Sequence, residues 1–418
     1  MRTLWAQTRS FSPTAQLLMA NQFAINFAFY MLMPYLAAHL SGDLRLAGWA
    51  VGLVLGVRNL SQQGMFVLGG ALADRYGAKG PIIAGCVLRT VGFALLGFAA
   101  TLPALIAASI ATGFAGALFN PAVRALLAEQ AGARRVEAFA CFNVYYQAGM
   151  VTGPVVGLGL LTVDFRTACA VAATVFAALT VLQWRALPNQ ATTTSSDGRA
   201  GLVTQWRTVL ANRRFLLFAA AMTGCYVLTF QVYLVLPLAV GQALPGAASE
   251  TTAGLFVPSA AVTVAGQLRL TGWAKRLRPE QAIVLGLAGT GAAFLTPAAA
   301  AGLGGGAAPV LVALAASVAL LAAGAALAYP FEMDTIASLA QDRLIATHYG
   351  LYNTVCGIGI TAGNMAIGAL WGWSDRRGLE PVTWLALAAV GFGAAVAVRG
   401  LARAGKLAPL PVTEPAAA

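Results

Sequence analysis

The chain has 418 residues, of which 59% are hydrophobic and 10% charged, with a mean hydropathy of +0.75. A soluble domain carries about 25% charged residues, so a water-facing globule is excluded and the bilayer is the solvent of this chain. A net charge of +12 would suggest nucleic acid for a soluble protein. Here the basic residues cluster between apolar spans and mark one side of a membrane instead.

Twelve apolar spans, each near the roughly 20 residues a bilayer core requires, lie at 15–38, 47–71, 80–100, 104–127, 136–161, 166–187, 214–240, 252–273, 281–301, 308–331, 347–371 and 382–403. Helices are the form in which such spans satisfy their own backbone in lipid. The first is too long and too polar at its centre for a cleaved signal segment; it carries Gln22, Asn26 and Tyr30 at i, i+4 and i+8. The second holds Arg58, with Gln62 one turn on. A charge at that depth faces the bundle interior or a wet cavity, where it holds a polar or anionic group or answers a titrating carboxylate. Arg89, in the third span, is expected to snorkel or to support packing.

Between spans two and three runs Gly69-Gly70-Ala71-Leu72-Ala73-Asp74-Arg75-Tyr76-Gly77-Ala78-Lys79. So short a connection must be a tight hairpin, and Gly77 is expected to take the positive φ that reverses the chain. The fifth span carries Asn143 and Gln147, then Gly149, Gly153, Pro154 and Gly157. Spaced glycines admit a neighbouring helix, and Pro154 bends its own. Residues 188–212 form the longest polar interruption and read as a linker with a short surface helix near Trp206. The domain reading is therefore a six-helix bundle over 1–187, a cytoplasmic linker over 188–212, and a second six-helix bundle with a short tail over 213–418. The seventh span carries Tyr226 and Tyr233, and the eleventh Asn353. The basic loop Gly272–Arg278 matches the first hairpin in place but lacks its acidic residue. Residues 332–346, with Glu332, Asp334, Asp342 and Arg343, read as an amphipathic stretch on the inner surface.

Lys and Arg set the orientation. With the N-terminus inside, most of them fall on the inner side and only Arg45, Arg166, Arg376 and Arg377 on the outer, so both termini are expected in the cytoplasm. The five cysteines and two histidines show no ligand spacing, and the cysteines read as small buried hydrophobes. No metal or cofactor is expected. No nucleotide loop or catalytic set of side chains appears, so the chain does not read as an enzyme. All fourteen acids read as lying in loops or at span ends, which leaves no mid-membrane carboxylate in view.

The first hairpin resembles the loop signature of the major facilitator superfamily, G-x-L-a-D-r-x-G-r-k. Gly70, Leu72, Asp74, Arg75, Gly77 and Lys79 match, and Ala78 stands where a base is usual. The fifth span resembles the antiporter motif of its drug exporters, with Leu158 in place of the last glycine. Arg58-Asn59-Leu60-Ser61-Gln62-Gln63-Gly64, Asp164-Phe165-Arg166 and the run from Tyr226 to Pro237 are similar to the MdtH-type branch of multidrug exporters. The resemblance implies an all-α membrane protein of twelve transmembrane helices in two pseudo-symmetric six-helix bundles, in a bacterial cytoplasmic (inner) membrane. It implies alternating access and export of small amphiphilic compounds in exchange for protons, by a monomer whose partners are the lipid bilayer, substrate and protons. It also implies that Asp74 and Arg75 latch the second helix against the eleventh, and that the Gly-Pro run limits leakage. The cavity candidates are Gln22, Asn26, Tyr30, Arg58, Gln62, Asn143, Gln147, Tyr226, Tyr233 and Asn353. Two other readings stay open: an importer or exporter of one metabolite, with Arg58 as anion anchor, and a non-transporting receptor or scaffold.

Overall fold

The computed structural model describes residues 2–188, 201–244, 248–302 and 306–407. The middle of the expected linker, 189–200, and the tail, 408–418, lie outside the described residues. Helix α1 (Arg2–Arg9) leads into α2 (Pro13–Tyr30) and α3 (Met33–Ala38), which together make the first span. Then follow α4 (Gly48–Tyr76), α5 (Lys79–Phe98), α6 (Leu102–Ala131), α7 (Arg135–Leu161) and α8 (Phe165–Ala186). The short helix expected near Trp206 is α9 (Leu202–Ala211). The second half comprises α10 (Arg213–Phe230), α11 (Val235–Ala243), α12 (Ala248–Ala274), α13 (Pro279–Ala292), α14 (Leu295–Gly302), α15 (Ala307–Leu339), α16 (Ile345–Asp375) and α17 (Glu380–Arg403).

Among the described residues, 9 helical stretches are long and apolar enough to cross a membrane. One of them, Leu102–Leu161, holds two helices, α6 and α7, joined by a 3-10 turn at Gly132–Arg134. The more polar α4 and α12 add two crossings, which brings the spans to twelve. An even number of crossings returns both termini to one end of the bundle, called here the terminal end.

In the first half α4 packs on α6, α5 on α6 and α8, and α2 on α7. In the second, α13 packs on α15 and α17, and α12 on α15. Small residues permit these approaches. A Cβ at Gly149, Gly153 or Gly157 would stand 2.5, 2.6 or 2.1 Å from a backbone oxygen of the first span, so α7 lies flush on it. Leu158 is exposed, so the missing last glycine of that motif costs no packing. Pro154 lies inside α7, and its carbonyl accepts the Tyr35 hydroxyl at 2.7 Å. Gly77 takes φ +83° at the end of α4, as the hairpin requires. All five cysteines are free and buried.

One expectation about the helices fails. The stretch 332–346 is no surface helix. Helix α15 continues through Pro330 to Leu339, a left-handed turn at Gln341, Asp342 and Leu344 follows, and α16 begins at Ile345. Glu332 is therefore inside a span, 2% exposed and about 10 Å in from the Leu339 end at 1.5 Å per residue. The statement that every acid lies in a loop or at a span end does not hold for it. The helix can bury this carboxylate because three other helices bring it partners.

Candidate functional site

The two halves meet at the terminal end. Asp74 closes α4, and its carboxylate lies on the N-terminus of α16, which has no side-chain cap of its own. Asp74 Oδ1 accepts the Ala346 N–H at 3.1 Å, and Oδ2 accepts the Thr347 N–H at 2.7 Å and the Thr347 hydroxyl at 2.6 Å. The first N–H groups of a helix have no intrahelical partner and carry its positive pole, so an acid from one half caps a helix of the other. Backbones touch just above it. A Cβ at Gly70 would stand 2.2 Å from the Ala346 carbonyl oxygen, and one at Gly350 2.3 Å from that of Phe66. Arg75 takes no part, contrary to its expected role as a latch: it turns back over the Tyr76 ring at 5.4 Å. Lys79 donates to the Leu187 carbonyl at 2.7 Å and ties the start of α5 to the end of α8.

On the other flank Glu137, in the first turn of α7, receives Arg134 at 2.6 Å and also Lys275 from the loop after α12. Arg135 pairs with Asp342 in the turn between α15 and α16. Deeper, the Asn143 amide donates to Gln267 at 2.7 Å, and Thr354 donates to the Gln63 carbonyl at 3.0 Å. No described bond between the halves involves the opposite ends of the helices, and a side chain at Gly52 or Gly56, toward that end of α4, would meet nothing within 4 Å. The bundle is sealed at the terminal end.

An acid cluster is set into this seam. Tyr226 of α10 donates to Glu332 at 2.9 Å, and Tyr352 of α16 donates to the same oxygen. Arg124 of α6, about 10 Å in from the Ala131 end, donates to Asn353 at 2.9 Å and lies within electrostatic range of Glu332 and Tyr329. Arg124 thus lies inside its span. Glu332 and Arg124 come from opposite halves.

A second cluster lies at mid-depth in the first half. Arg58 and Arg89 both stand over the Phe29 ring, at 5.4 and 4.8 Å. Arg58 Nη1 donates weakly to Gln62 at 3.4 Å, and Nη2 donates to Asn59. Arg89 does not snorkel: it is 6% exposed, and its other face meets Phe176 at 5.4 Å. The Tyr30 hydroxyl lies 3.3 Å from that of Tyr146 and within electrostatic range of Arg58 and Tyr233. Tyr30 ends α2, and Tyr233 ends the 3-10 turn after α10. The first and seventh spans thus break at equivalent places. The sequence carries that signal as Tyr30-Met-Leu-Met-Pro34 and Tyr233-Leu-Val-Leu-Pro237. Paired interruptions in the two halves of a transporter point to its binding site.

Of the ten cavity candidates, Tyr30, Arg58, Gln62 and Tyr233 gather at this level. Tyr226 and Asn353 belong to the acid cluster. Asn143 is a seam contact, and Gln147, on the same helix face, is half-buried. Gln22 and Asn26 are buried, with the Asn26 amide turned back to the Gln22 carbonyl at 2.7 Å. The Asn26 Cβ lies against Gly149 of α7, so this pair serves the α2–α7 contact in the sealed state. Sequence reasoning missed Glu332, Arg124 and Tyr146.

The family model described as Major Facilitator Superfamily matches residues 18–364. An uncharacterized MFS-type transporter of Mycobacterium tuberculosis is 51% identical over 397 residues, which is 94% of each chain. The multidrug resistance protein MdtH of Klebsiella pneumoniae is 29% identical, over 90% of each chain. Among solved structures, the MFS transporter FucP in the outward conformation has a TM-score of 0.72 at 17% identity and covers 94% of this chain and 99% of its own. The chain belongs to the major facilitator superfamily.

Proposed function

We propose that the protein exports small amphiphilic compounds across a bacterial cytoplasmic membrane in exchange for protons, as a monomer working by alternating access. The bundles 1–187 and 213–418 rock about the seam, with the linker 188–212 and both termini in the cytoplasm. The positive charge at the terminal end supports that orientation, and the MdtH relatives, multidrug resistance proteins by name, support the substrate class.

The observation that carries proton exchange is Glu332. Buried carboxylates inside spans are rare and costly, and they mark ion and proton pathways. Glu332 accepts from two tyrosines and faces Arg124 across the seam. Protonation removes its attraction to Arg124 and so weakens the sealed arrangement. A proton taken up in the state sealed at the terminal end therefore drives the carrier toward the state open at that end.

The test is counterflow in proteoliposomes with an imposed ΔpH and a panel of amphiphiles. Glu332→Gln keeps the side-chain volume and removes the charge. It is expected to abolish the ΔpH stimulation, at least tenfold, while exchange without ΔpH persists. Full ΔpH stimulation in Glu332→Gln would refute proton carriage by this residue.

A further inference from the structure

The mid-depth cations Arg58 and Arg89 have no counter-charge among the described residues. Arg58 sits about 15 Å from Gly48, the nearer end of its helix, and Arg89 near the middle of its own, about 15 Å from Lys79. Their partners are neutral: the Gln62 and Asn59 amide oxygens for Arg58, and the Phe29 and Phe176 rings for Arg89. Arg89 Nε, buried, has no hydrogen-bond partner. The ion pairs among the described residues all lie elsewhere. The two guanidiniums are close enough to repel one another. A cation at this depth faces a cavity or a partner, and two of them around one ring make a positive site that no described acid neutralises.

The site also lies near the second half. Arg58 is only partly covered and lies within electrostatic range of Tyr30, whose hydroxyl stands 3.3 Å from that of Tyr146 and within electrostatic range of the half-exposed Tyr233 of the other half. Rings beside a cation suit a molecule with an apolar body and a charged head. A guanidinium fork matches a carboxylate or sulfonate in shape.

We propose that Arg58, backed by Arg89 across the Phe29 ring, receives the anionic headgroup of the transported amphiphile, whose apolar body lies on Tyr30, Tyr146 and Tyr233. The proposal rests on the transporter reading above and narrows its substrate class to organic anions.

The experiment compares two probes with one body, pyrenebutyrate and 1-pyrenebutylamine, on the full chain in phosphatidylcholine nanodiscs, corrected with protein-free discs. The carboxylate is expected to bind at least tenfold more tightly than the ammonium. Arg58→Met should lose that tenfold preference and leave the ammonium within twofold. Arg58→Lys should keep part of the preference, with thermal unfolding followed for both variants. The comparison of probes on the unaltered protein needs no variant and stands if one fails to fold. Equal binding of the two probes, tighter binding of the ammonium, or an unchanged preference in folded Arg58→Met would overturn the proposal. Loss of pyrenebutyrate binding in phosphatidylglycerol discs would assign the site to a lipid headgroup and overturn the substrate assignment. Counterflow keeps the two readings apart. If neither probe moves while the binding preference persists, the transporter reading fails. If the ammonium moves and the carboxylate does not, the anion assignment fails.

Discussion

Asp74→Asn tests the seam at its most specific point. The carboxylate accepts two N–H groups and one hydroxyl from the start of α16. Asparagine keeps one acceptor oxygen and turns an NH2 toward donors, so one end of the contact becomes donor against donor. A hydrogen bond to a charged group contributes about 1.5–3 kcal/mol, and a carboxylate at a helix N-terminus a further ~0.3–1 kcal/mol. The sealed state should therefore lose about 2–4 kcal/mol relative to the open one. At 1.4 kcal/mol per decade that moves the equilibrium by roughly 30- to 1,000-fold. Spin labels at Tyr76 and Gln341, both exposed and on opposite halves, read it as a second, longer distance in pulsed dipolar spectra. Thr347→Val, which removes only the hydroxyl bond, should shift the populations less. An Asp74→Asn distance distribution identical to that of the unaltered protein, with unchanged counterflow, would refute the latch.

Two further outcomes are expected. Gly70→Ala puts a methyl where the Ala346 carbonyl oxygen would lie 2.2 Å away, a strain of ~1–3 kcal/mol that parting of the halves relieves. It should lengthen the same distances with little change in melting temperature, whereas Gly153→Leu, packed within one half, should lower melting. The reverse pattern in melting curves would contradict this division. For topology, a cysteine introduced at Asp164 should react with an impermeant maleimide on intact cells and one at Lys406 should not; labelling at Lys406 would reverse the orientation.

The fold was legible because membrane spans are written in composition, and a hairpin as tight as that at Gly77 can be read from its glycine. The sites were less so. Glu332 sits in a run with Asp334, Asp342 and Arg343 that has the polarity of an interfacial stretch. What buries it are Tyr226, Tyr352 and Arg124, drawn from three helices far apart in the chain. No local pattern carries that. The breaks at Tyr30 and Tyr233 were legible in principle, since the same Tyr-x-x-x-Pro run occurs in both halves, but each lies inside a hydrophobic segment where the eye reads an unbroken helix. Gln22 and Asn26 had the spacing of a cavity stripe. Spacing places them on one face, and only the packing of α7 says that this face is covered in the sealed state.

The loss of the acid from the second-half loop Gly272–Arg278 also acquires a physical reason. By pseudo-symmetry, the contact that Asp74 makes on the start of α16 corresponds to one between the loop after α12 and the start of α7. There the charges are exchanged: Lys275 sits in the loop, and Glu137 sits in the first turn of the helix it reaches. Glu137 is itself favourable at its own helix N-terminus, so that helix needs no acid from across the seam, and a base in the loop is the partner that fits. An acid retained at the loop position would face Glu137 and part the halves. The two junctions therefore hold the seam with opposite polarity. A motif search for the repeat finds only one of them, because each junction keeps an acid near a helix N-terminus, but the first takes it from across the seam and the second from the helix itself.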